Sequence, residues 1–135
     1  MLFLRPLIVT MLIASCYAYC QTEEENLVGE LAKISWFSSG ISGFAGKQSE
    51  GERLYQALAA KKGGKGKFIL LAADRDATPE ARLYAACGLY QLGYDNIDNL
   101  FLQYKDEKVT LLQGDILRRV AFFEIYQKIK TSGYQ

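Results

Sequence analysis

One string of the sequence, Lys61-Lys62-Gly63-Gly64-Lys65-Gly66-Lys67, combines four lysines with three glycines and is a candidate for binding phosphate. A P-loop needs a glycine five residues before its Gly-Lys pair, a Ser or Thr after the lysine, and a strand before the loop. Here Lys61 stands at the glycine position, Phe68 follows Lys67, and a helix is predicted before the string. The string is therefore not a P-loop. Two interpretations of Lys61, Lys62, Lys65 and Lys67 stay open: a solvated basic loop, or a contact to an anion or a lipid headgroup.

Three carboxylates, Asp74, Asp76 and Glu80, have the spacing of the first, third and seventh ligands of a calcium loop. An EF-hand also needs glycine at its sixth position and an acid at its twelfth. This chain has Pro79 and Ala85 at those positions, so we predict no metal site. Asp74 and Asp76 are interpreted as residues that end one helix and precede the next. A paired-carboxylate hydrolase site is the alternative.

The sequence contains no histidine. Histidine is the usual general base near neutral pH and the commonest metal ligand, so its absence excludes Ser-His-Asp and Cys-His catalysis and most zinc sites. We therefore predict no catalytic residue and no cofactor. Cys87 lies in an apolar stretch and is interpreted as a small buried core residue. A disulfide between Cys20 and Cys87 is the alternative.

The first 20 residues differ from the rest, because 16 of them are apolar. Arg5 precedes a run from Leu7 to Ala14 that only Thr10 interrupts, and this layout is typical of a secretory signal. The run is shorter than the roughly 20 residues that a membrane-spanning helix needs. The alternative, a buried N-terminal helix, would normally show a polar stripe.

The end of this signal has two interpretations. Ile13-Ala14-Ser15-Cys16 resembles the lipobox of bacterial lipoproteins, which implies a signal peptide over residues 1–15 and lipidation of Cys16. Acyl chains would then tether the protein to a membrane in the bacterial periplasm or cell envelope. The competing interpretation is ordinary cleavage near residue 18, after Ala18, which gives a soluble secreted protein. Residues 16–26, with three consecutive glutamates, are predicted to form a short acidic tether.

The remaining sequence is balanced in charge, with 15 basic and 15 acidic residues beyond residue 20. A nucleic-acid binder needs a positive face for the phosphate backbone, so we predict no nucleic-acid partner. Roughly 110 residues is a common size for one domain. No stretch resembles a long linker, so residues 27–135 are predicted to form a single helical domain.

Helix signals dominate this domain. Thr78-Pro79-Glu80 combines a capping hydroxyl, proline at the first helical position and an acid in the first turn, so it predicts a helix that ends near Leu92. Because this helix is apolar nearly all round, we expect it to be central and most buried. Ser49-Glu50-Gly51-Glu52 is a capping box that starts another helix. Helical spacing predicts further helices over residues 24–37, 68–73, 100–104 and 116–129, of which 68–73 has a buried strand as the alternative.

The helix over residues 79–89 carries a family resemblance. Its sequence, Pro-Glu-Ala-Arg-Leu-Tyr-Ala-Ala-Cys-Gly-Leu, resembles the second helix of a HEAT-type hairpin, and with Gly43-Phe44-Ala45-Gly46 and Ser49-Glu50 it resembles an uncharacterised family of small exported bacterial proteins. The resemblance implies an all-α fold of five to six short helices in stacked, HEAT-like hairpins. It also implies an interaction surface, because HEAT arrays usually bind proteins. The pattern does not recur at a fixed period, so no regular solenoid is expected.

These patterns predict an exported, membrane-tethered, non-catalytic protein that acts as a protein-protein interaction module. Trp36 and Phe37, at the end of a predicted helix, are interpreted either as core residues or as an exposed anchor for an unknown protein partner. A narrower alternative is an immunity or inhibitor protein that blocks an envelope toxin or hydrolase through a loop such as 40–48 or 61–67. The third alternative is a carboxylate-dependent hydrolase.

Overall fold

The computed structural model describes residues 23–38, 41–42 and 47–133. Helices occupy most of this part. They are α1 (residues 23–31), α2 (Glu50–Ala59), α3 (Gly64–Ala73), α4 (Pro79–Gln91), α5 (Ile97–Phe101) and α6 (Phe122–Ser132), with a 3₁₀ turn at Leu102–Tyr104. Strands β1 (Ile41–Ser42) and β2 (Lys47–Gln48) pair antiparallel, as do β3 (Lys108–Gln113) and β4 (Ile116–Ala121). The prediction of a mostly helical chain is confirmed.

The chain is not all-α, because residues 108–121 form a β-hairpin where a single helix over 116–129 was predicted after the break at Gly114. The reason lies in Gly114, which adopts a φ of 62° in a two-residue turn with Asp115. A positive φ at this position is typical of the turns that match the twist of paired strands. The chain therefore reverses, and α6 begins only at Phe122.

Helix α4 is the centre of the core, as predicted, and every residue from Glu80 to Leu89 is buried. Its N-terminus has the predicted cap: the Thr78 hydroxyl accepts a hydrogen bond from the Ala81 N–H at 3.1 Å. The predicted capping box of α2 is confirmed on its serine side, since Ser49 Oγ accepts from the Glu52 N–H at 3.1 Å. The core around α4 is built from aliphatic and aromatic side chains of neighbouring helices and of β3, among them Leu31, Leu54, Leu58, Phe68, Leu71, Phe101, Val109, Leu111, Phe122, Ile125 and Ile129.

Helices α3 and α4 approach closely at Gly88. A Cβ atom on Gly88 would lie 2.3 Å from Cε2 of Phe68, which is fully buried on α3. The absence of a side chain at Gly88 therefore permits this close packing of the two helices. Residues 68–73 belong to α3, so the helical interpretation of this segment is correct and the strand alternative is wrong.

Helix α1 is shorter than the helix predicted over residues 24–37. It ends at residue 31, and the chain then turns at residues 32–33 and continues past the N-terminus of α4. The Thr78 N–H donates to the Ala32 carbonyl at 3.1 Å, and the Thr78 hydroxyl donates to the Ile34 carbonyl. Phe37 then pairs in parallel with Leu111 of β3. The apolar spacing did not indicate that the helix ends at residue 31, because Ile34 fits the helical pattern. In the structure, the Ile34 carbonyl instead accepts the hydrogen bond from the Thr78 hydroxyl.

Candidate functional site

The lysine-rich string is partly helical, because α3 begins at Gly64. Lys65 and Lys67 lie in the first turn of α3, so the expectation of a flexible loop over 61–67 is wrong for Gly64 onward. Lys61 forms an ion pair with Glu23 at 3.0 Å, and Lys65 Nζ lies 5.3 Å from the centre of the Tyr94 ring. Lys62 is exposed. Lys61 and Lys65 therefore each have a recorded contact within the chain.

Residues 23–26, assigned from sequence to the acidic tether, are helical. Besides the Glu23 ion pair, the Glu24 carboxylate approaches the start of α3: a Cβ atom on Gly63 would lie 2.5 Å from Glu24 Oε2. A carboxylate at a helix N-terminus is favoured by the helix dipole. The end of the predicted tether is thus helical and contacts the basic segment through Glu23 and Glu24.

Trp36 and Phe37 differ in burial. Phe37 is fully buried, with its ring centre 4.6 Å from that of Tyr84, and its N–H donates to the Thr110 carbonyl at 2.8 Å. The anchor interpretation is therefore wrong for Phe37, and the core interpretation is confirmed. Trp36 is half-buried.

The three acidic residues that have the spacing of a calcium loop, Asp74, Asp76 and Glu80, make different contacts. Asp74 Oδ1 accepts from the Asp76 N–H at 2.9 Å, which stabilises the turn between α3 and α4, as interpreted from sequence. Glu80 is buried, and its Oε1 accepts from the Thr110 N–H of β3 at 2.9 Å. Among the residues that the structure describes, no group of three or more His, Cys, Asp or Glu could hold a metal ion.

Tyr84 forms the centre of a buried polar cluster. Its hydroxyl accepts from the Ser38 N–H at 2.9 Å, donates to the Ser38 carbonyl at 2.8 Å, and lies 3.1 Å from Ser49 Oγ. Burial raises the pKa of Tyr84 well above its usual value. Burial likewise raises the pKa of the Cys87 thiol, which is free and buried, so the interpretation of Cys87 as a core residue is confirmed. Cys20, the partner in the alternative disulfide, lies outside the described residues. The Tyr84 hydroxyl thus joins α4 to Ser38 and Ser49. Because the raised pKa values favour the protonated forms, the Tyr84 hydroxyl and the Cys87 thiol are poor nucleophiles.

Two of the seven large apolar residues that are exposed in the described region are consecutive on β4. Ile116 is 66% exposed and the adjacent Leu117 is 59% exposed. Arg118 and Arg119 follow directly and are also exposed. We call these four residues, Ile116 to Arg119, the β4 surface. Large aliphatic side chains at such exposure cost free energy in water, about 25 cal/mol for each Å² of apolar area, so neighbouring ones mark a candidate binding site.

The arginines of the β4 surface make only neutral contacts that the structure records. Arg118 Nη2 donates to Gln113 Oε1 at 3.0 Å, and Arg119 Nη1 donates to Thr110 Oγ1 at 2.9 Å. Both acceptors lie on β3, so the guanidinium groups are positioned by the hairpin itself. None of the ion pairs found among the described residues includes either arginine. Consecutive residues of a strand point to opposite faces, so Ile116 and Arg118 share one face of the hairpin while Leu117 and Arg119 share the other. Each face therefore holds one positive charge beside one exposed aliphatic side chain.

Sequence analysis missed this surface, although a signal for it was present. Gly114-Asp115 stands between two segments that contain adjacent aliphatic residues, and a Gly-Asp pair in that setting is a hairpin signal. The helical spacing of Leu117, Val120 and Ile125 favoured a helix over the hairpin that Gly114-Asp115 indicates. In a hairpin the same residues fall on two faces of a strand, and that arrangement leaves Leu117 exposed.

Comparison with known proteins gives no further assignment, because no family model, no curated protein and no solved structure matches this sequence. Cys16 and the lipobox-like residues before it lie outside the described residues. In the described part of the chain, none of the helices has the length and apolar content needed to cross a membrane.

Proposed function

We propose that this chain is a non-catalytic protein-protein interaction module that binds its partner through the β4 surface. The observation that carries the proposal is the adjacency of Ile116 and Leu117, exposed by 66% and 59%, to two arginines without an ion pair recorded in the described region. Arginine is enriched at the energetically important centres of protein interfaces, and the buried core of an interface is more apolar than the interface as a whole. A charged, mixed surface of this kind can bind without any catalytic group.

The proposal includes export and a membrane tether. It is supported by the signal-like composition of the first 20 residues and by the lipobox-like sequence that ends at Cys16. In this proposal, lipidated Cys16 anchors the chain in the bacterial cell envelope, and the folded domain from α1 onward presents the β4 surface to other proteins. Cleavage near residue 18 would instead release the same domain as a soluble secreted protein.

The proposal also includes a HEAT-like helical hairpin as the scaffold. Its support is the pair α3 and α4, which are consecutive, joined by a short turn at Asp74 to Thr78, and packed closely at Gly88. Helix α4 also packs against α2 and α6, so it is buried from more than one side. Such a scaffold is rigid under the hairpin and lets the β4 surface bind in one defined geometry.

The binding role is tested by affinity capture from an envelope extract of the native cells. We expect the full chain to retain a partner that is lost from a variant carrying Ile116→Ser and Leu117→Ser. The matched control is Leu70→Ser on α3, because Leu70 is 63% exposed but lies outside the β4 surface. Equal capture by all three proteins, or capture by none while a known envelope complex survives, would contradict the proposal.

A further inference from the structure

We infer that the outer edge of β4 accepts an extended segment of a partner protein as an additional strand, and that this segment carries two adjacent acidic residues beside two adjacent apolar residues. The inference rests on the proposed binding role of the β4 surface and specifies the chemistry of the partner.

The direction of the backbone groups on β4 follows from the hairpin register. Thr110 opposes Arg119, and Leu112 opposes Leu117. The Thr110 carbonyl and the Leu112 N–H both bind Phe37, at 2.8 Å each, so they point away from β4. In an antiparallel pair, opposite residues share this direction, so the N–H and carbonyl groups of Leu117 and Arg119 point away from β3. Within the described region β4 pairs with β3 alone, and this outward row of groups is a template for another strand.

The side chains next to this edge set the composition of the added strand. Residues opposite each other on paired strands lie on the same face and contact one another. A segment paired antiparallel with β4 would place two consecutive residues beside Arg119 and Arg118, then two beside Leu117 and Ile116. Carboxylates complement the first pair, because charge-assisted hydrogen bonds to guanidinium groups are strong and directional. Aliphatic side chains complement the second pair, since they bury the exposed surface of Leu117 and Ile116.

A second copy of this chain is a poorer occupant. Consider two β4 edges that pair antiparallel about a two-fold axis. If the axis passes through Arg118 or Arg119, that arginine lies opposite the same arginine of the other copy. If it passes through Leu117, the two Arg118 residues lie at diagonal positions. Like charges at opposite positions destabilise a sheet. The arginines therefore protect the edge from self-pairing while leaving it open to an acidic strand. Protection alone would not require Ile116 and Leu117 to be exposed, because polar residues serve that purpose as well.

An anionic membrane is also a poorer occupant. Ile116, Leu117 and the arginines have the composition of a membrane-contacting tip. However, insertion would carry the outward N–H and carbonyl groups of Leu117 into hydrocarbon, where unbonded backbone groups cost several kcal/mol each. An added strand pairs those same groups. The backbone edge therefore favours a peptide over a lipid surface.

The test uses the full chain and a fluorescent peptide, Thr-Glu-Glu-Val-Ile-Thr, with binding measured by anisotropy. Three matched peptides separate the contributions: one with lysines replacing the glutamates, one with the same composition in the order Glu-Val-Thr-Thr-Ile-Glu, and one with alternate backbone amides N-methylated. We expect saturable binding of the first peptide, and at least tenfold weaker binding of the other three. Equal binding of the N-methylated peptide would overturn strand addition, and absence of binding by the first peptide would overturn the inference altogether.

Variants locate the site. Arg118→Gln with Arg119→Gln should weaken binding of the acidic peptide by about tenfold, because each exposed charge pair contributes about 0.2–1 kcal/mol. The control is Arg75→Gln, an exposed arginine between α3 and α4, which should leave binding unchanged. Equal affinity in the double variant would contradict the inference.

Two further measurements separate the competing occupants. Vesicles containing phosphatidylglycerol test the membrane, and sedimentation without peptide tests self-association. Binding to vesicles or dimer formation that depends on Arg118 and Arg119, without peptide binding, would overturn the inference in favour of that occupant. If affinity capture depends on Ile116 and Leu117 while the acidic peptide does not bind, the inference fails and the proposed function stands. If capture is insensitive to these residues, the proposed function itself fails.

Discussion

The hydroxyl of Tyr84 binds both backbone groups of Ser38, accepting from its N–H at 2.9 Å and donating to its carbonyl at 2.8 Å. Tyr84 lies on the central helix α4, and Ser38 follows Phe37, the residue that pairs with β3. The Tyr84 side chain therefore holds Ser38 in place next to Phe37, whose backbone groups bind Thr110 and Leu112 of β3. The position of the β4 surface depends on this connection.

Replacing Tyr84 by phenylalanine tests that connection. Tyr84→Phe keeps the ring and removes the hydroxyl, so the free energy of unfolding should fall by about 1–3 kcal/mol, the usual effect of removing one partner of buried hydrogen bonds. Urea denaturation followed by circular dichroism gives the value. Tyr90→Phe is the control, because Tyr90 is exposed. The same unfolding midpoint for Tyr84→Phe and the unmodified protein would refute the structural role of the hydroxyl.

The close approach of α3 and α4 makes a second prediction. Gly88→Ala places a Cβ atom 2.3 Å from Phe68, and this ring is fully buried, so it has little room to move. Overpacking of this kind should lower the free energy of unfolding by about 1–3 kcal/mol. Gly66→Ala in α3 meets nothing within 4 Å and should be neutral or stabilise by up to about 1 kcal/mol. Thermal unfolding of both variants compares them, and similar shifts in Tm would argue against the packing described.

The dependence of stability on pH should report on Asp98. Hydrogen bonds from Tyr126 and then Lys130 hold the pKa of Asp98 below its ordinary value of 3.8. Since the pKa is lower in the folded protein, the ionised carboxylate stabilises the fold above the unfolded pKa, and this contribution is lost as the pH falls through the folded pKa. The stability difference between the unmodified protein and Asp98→Asn should therefore be largest above about pH 5 and shrink below pH 3.8.

Denaturation at a series of pH values measures this difference. Asp95→Asn is the control, because Asp95 is an exposed acid in the turn before α5. Tyr126→Phe should reduce the effect of Asp98→Asn, since it removes one of the two hydrogen bonds. A stability difference for Asp98→Asn that is independent of pH from 2 to 7 would show that the contacts of Asp98 are not electrostatic in origin.

The lipid anchor is tested separately from the fold. Cys16→Ser should abolish acyl labelling and move the protein from membranes to the soluble fraction of native cells. Cys20→Ser, four residues further on, should leave both labelling and fractionation unchanged. If Cys16→Ser stays membrane-bound and labelled, lipidation at this residue is wrong, and cleavage near Ala18 becomes the account of export.

Sequence reasoning located the features that local chemistry determines. The cap at Thr78, the capping box at Ser49 and the buried character of α4 follow from residue types and spacing within a few positions. Phe37 and Ser38 show its limit, because their partners, Leu111 and Tyr84, are 74 and 46 residues away in the chain. Such contacts depend on tertiary packing that no local pattern encodes.

The candidate site was missed for a different reason. Residues 116–129 satisfy a helical period, and the competing signal was the two-residue turn at Gly114-Asp115. Turn geometry prevailed because Val109, Leu111 and Val120 of the hairpin are buried together on one face. In the strand, Ile116 and Leu117 are both exposed, whereas the helical pattern placed Leu117 on the apolar face of the predicted helix. Phe37 packs in the core through contacts that are distant in sequence, and Lys61 and Lys65 contact Glu23 and Tyr94 of the same chain.

The most direct measurement of the central claim is site-specific photo-crosslinking in native cells. A photoreactive amino acid is placed at Leu117 in the full chain and, in a matched control, at Leu70, which has nearly the same exposure. The account predicts a discrete crosslinked protein adduct at position 117 and none at position 70. An adduct at both positions alike, or at position 70 only, would contradict the claim that the β4 surface is the binding site of this protein.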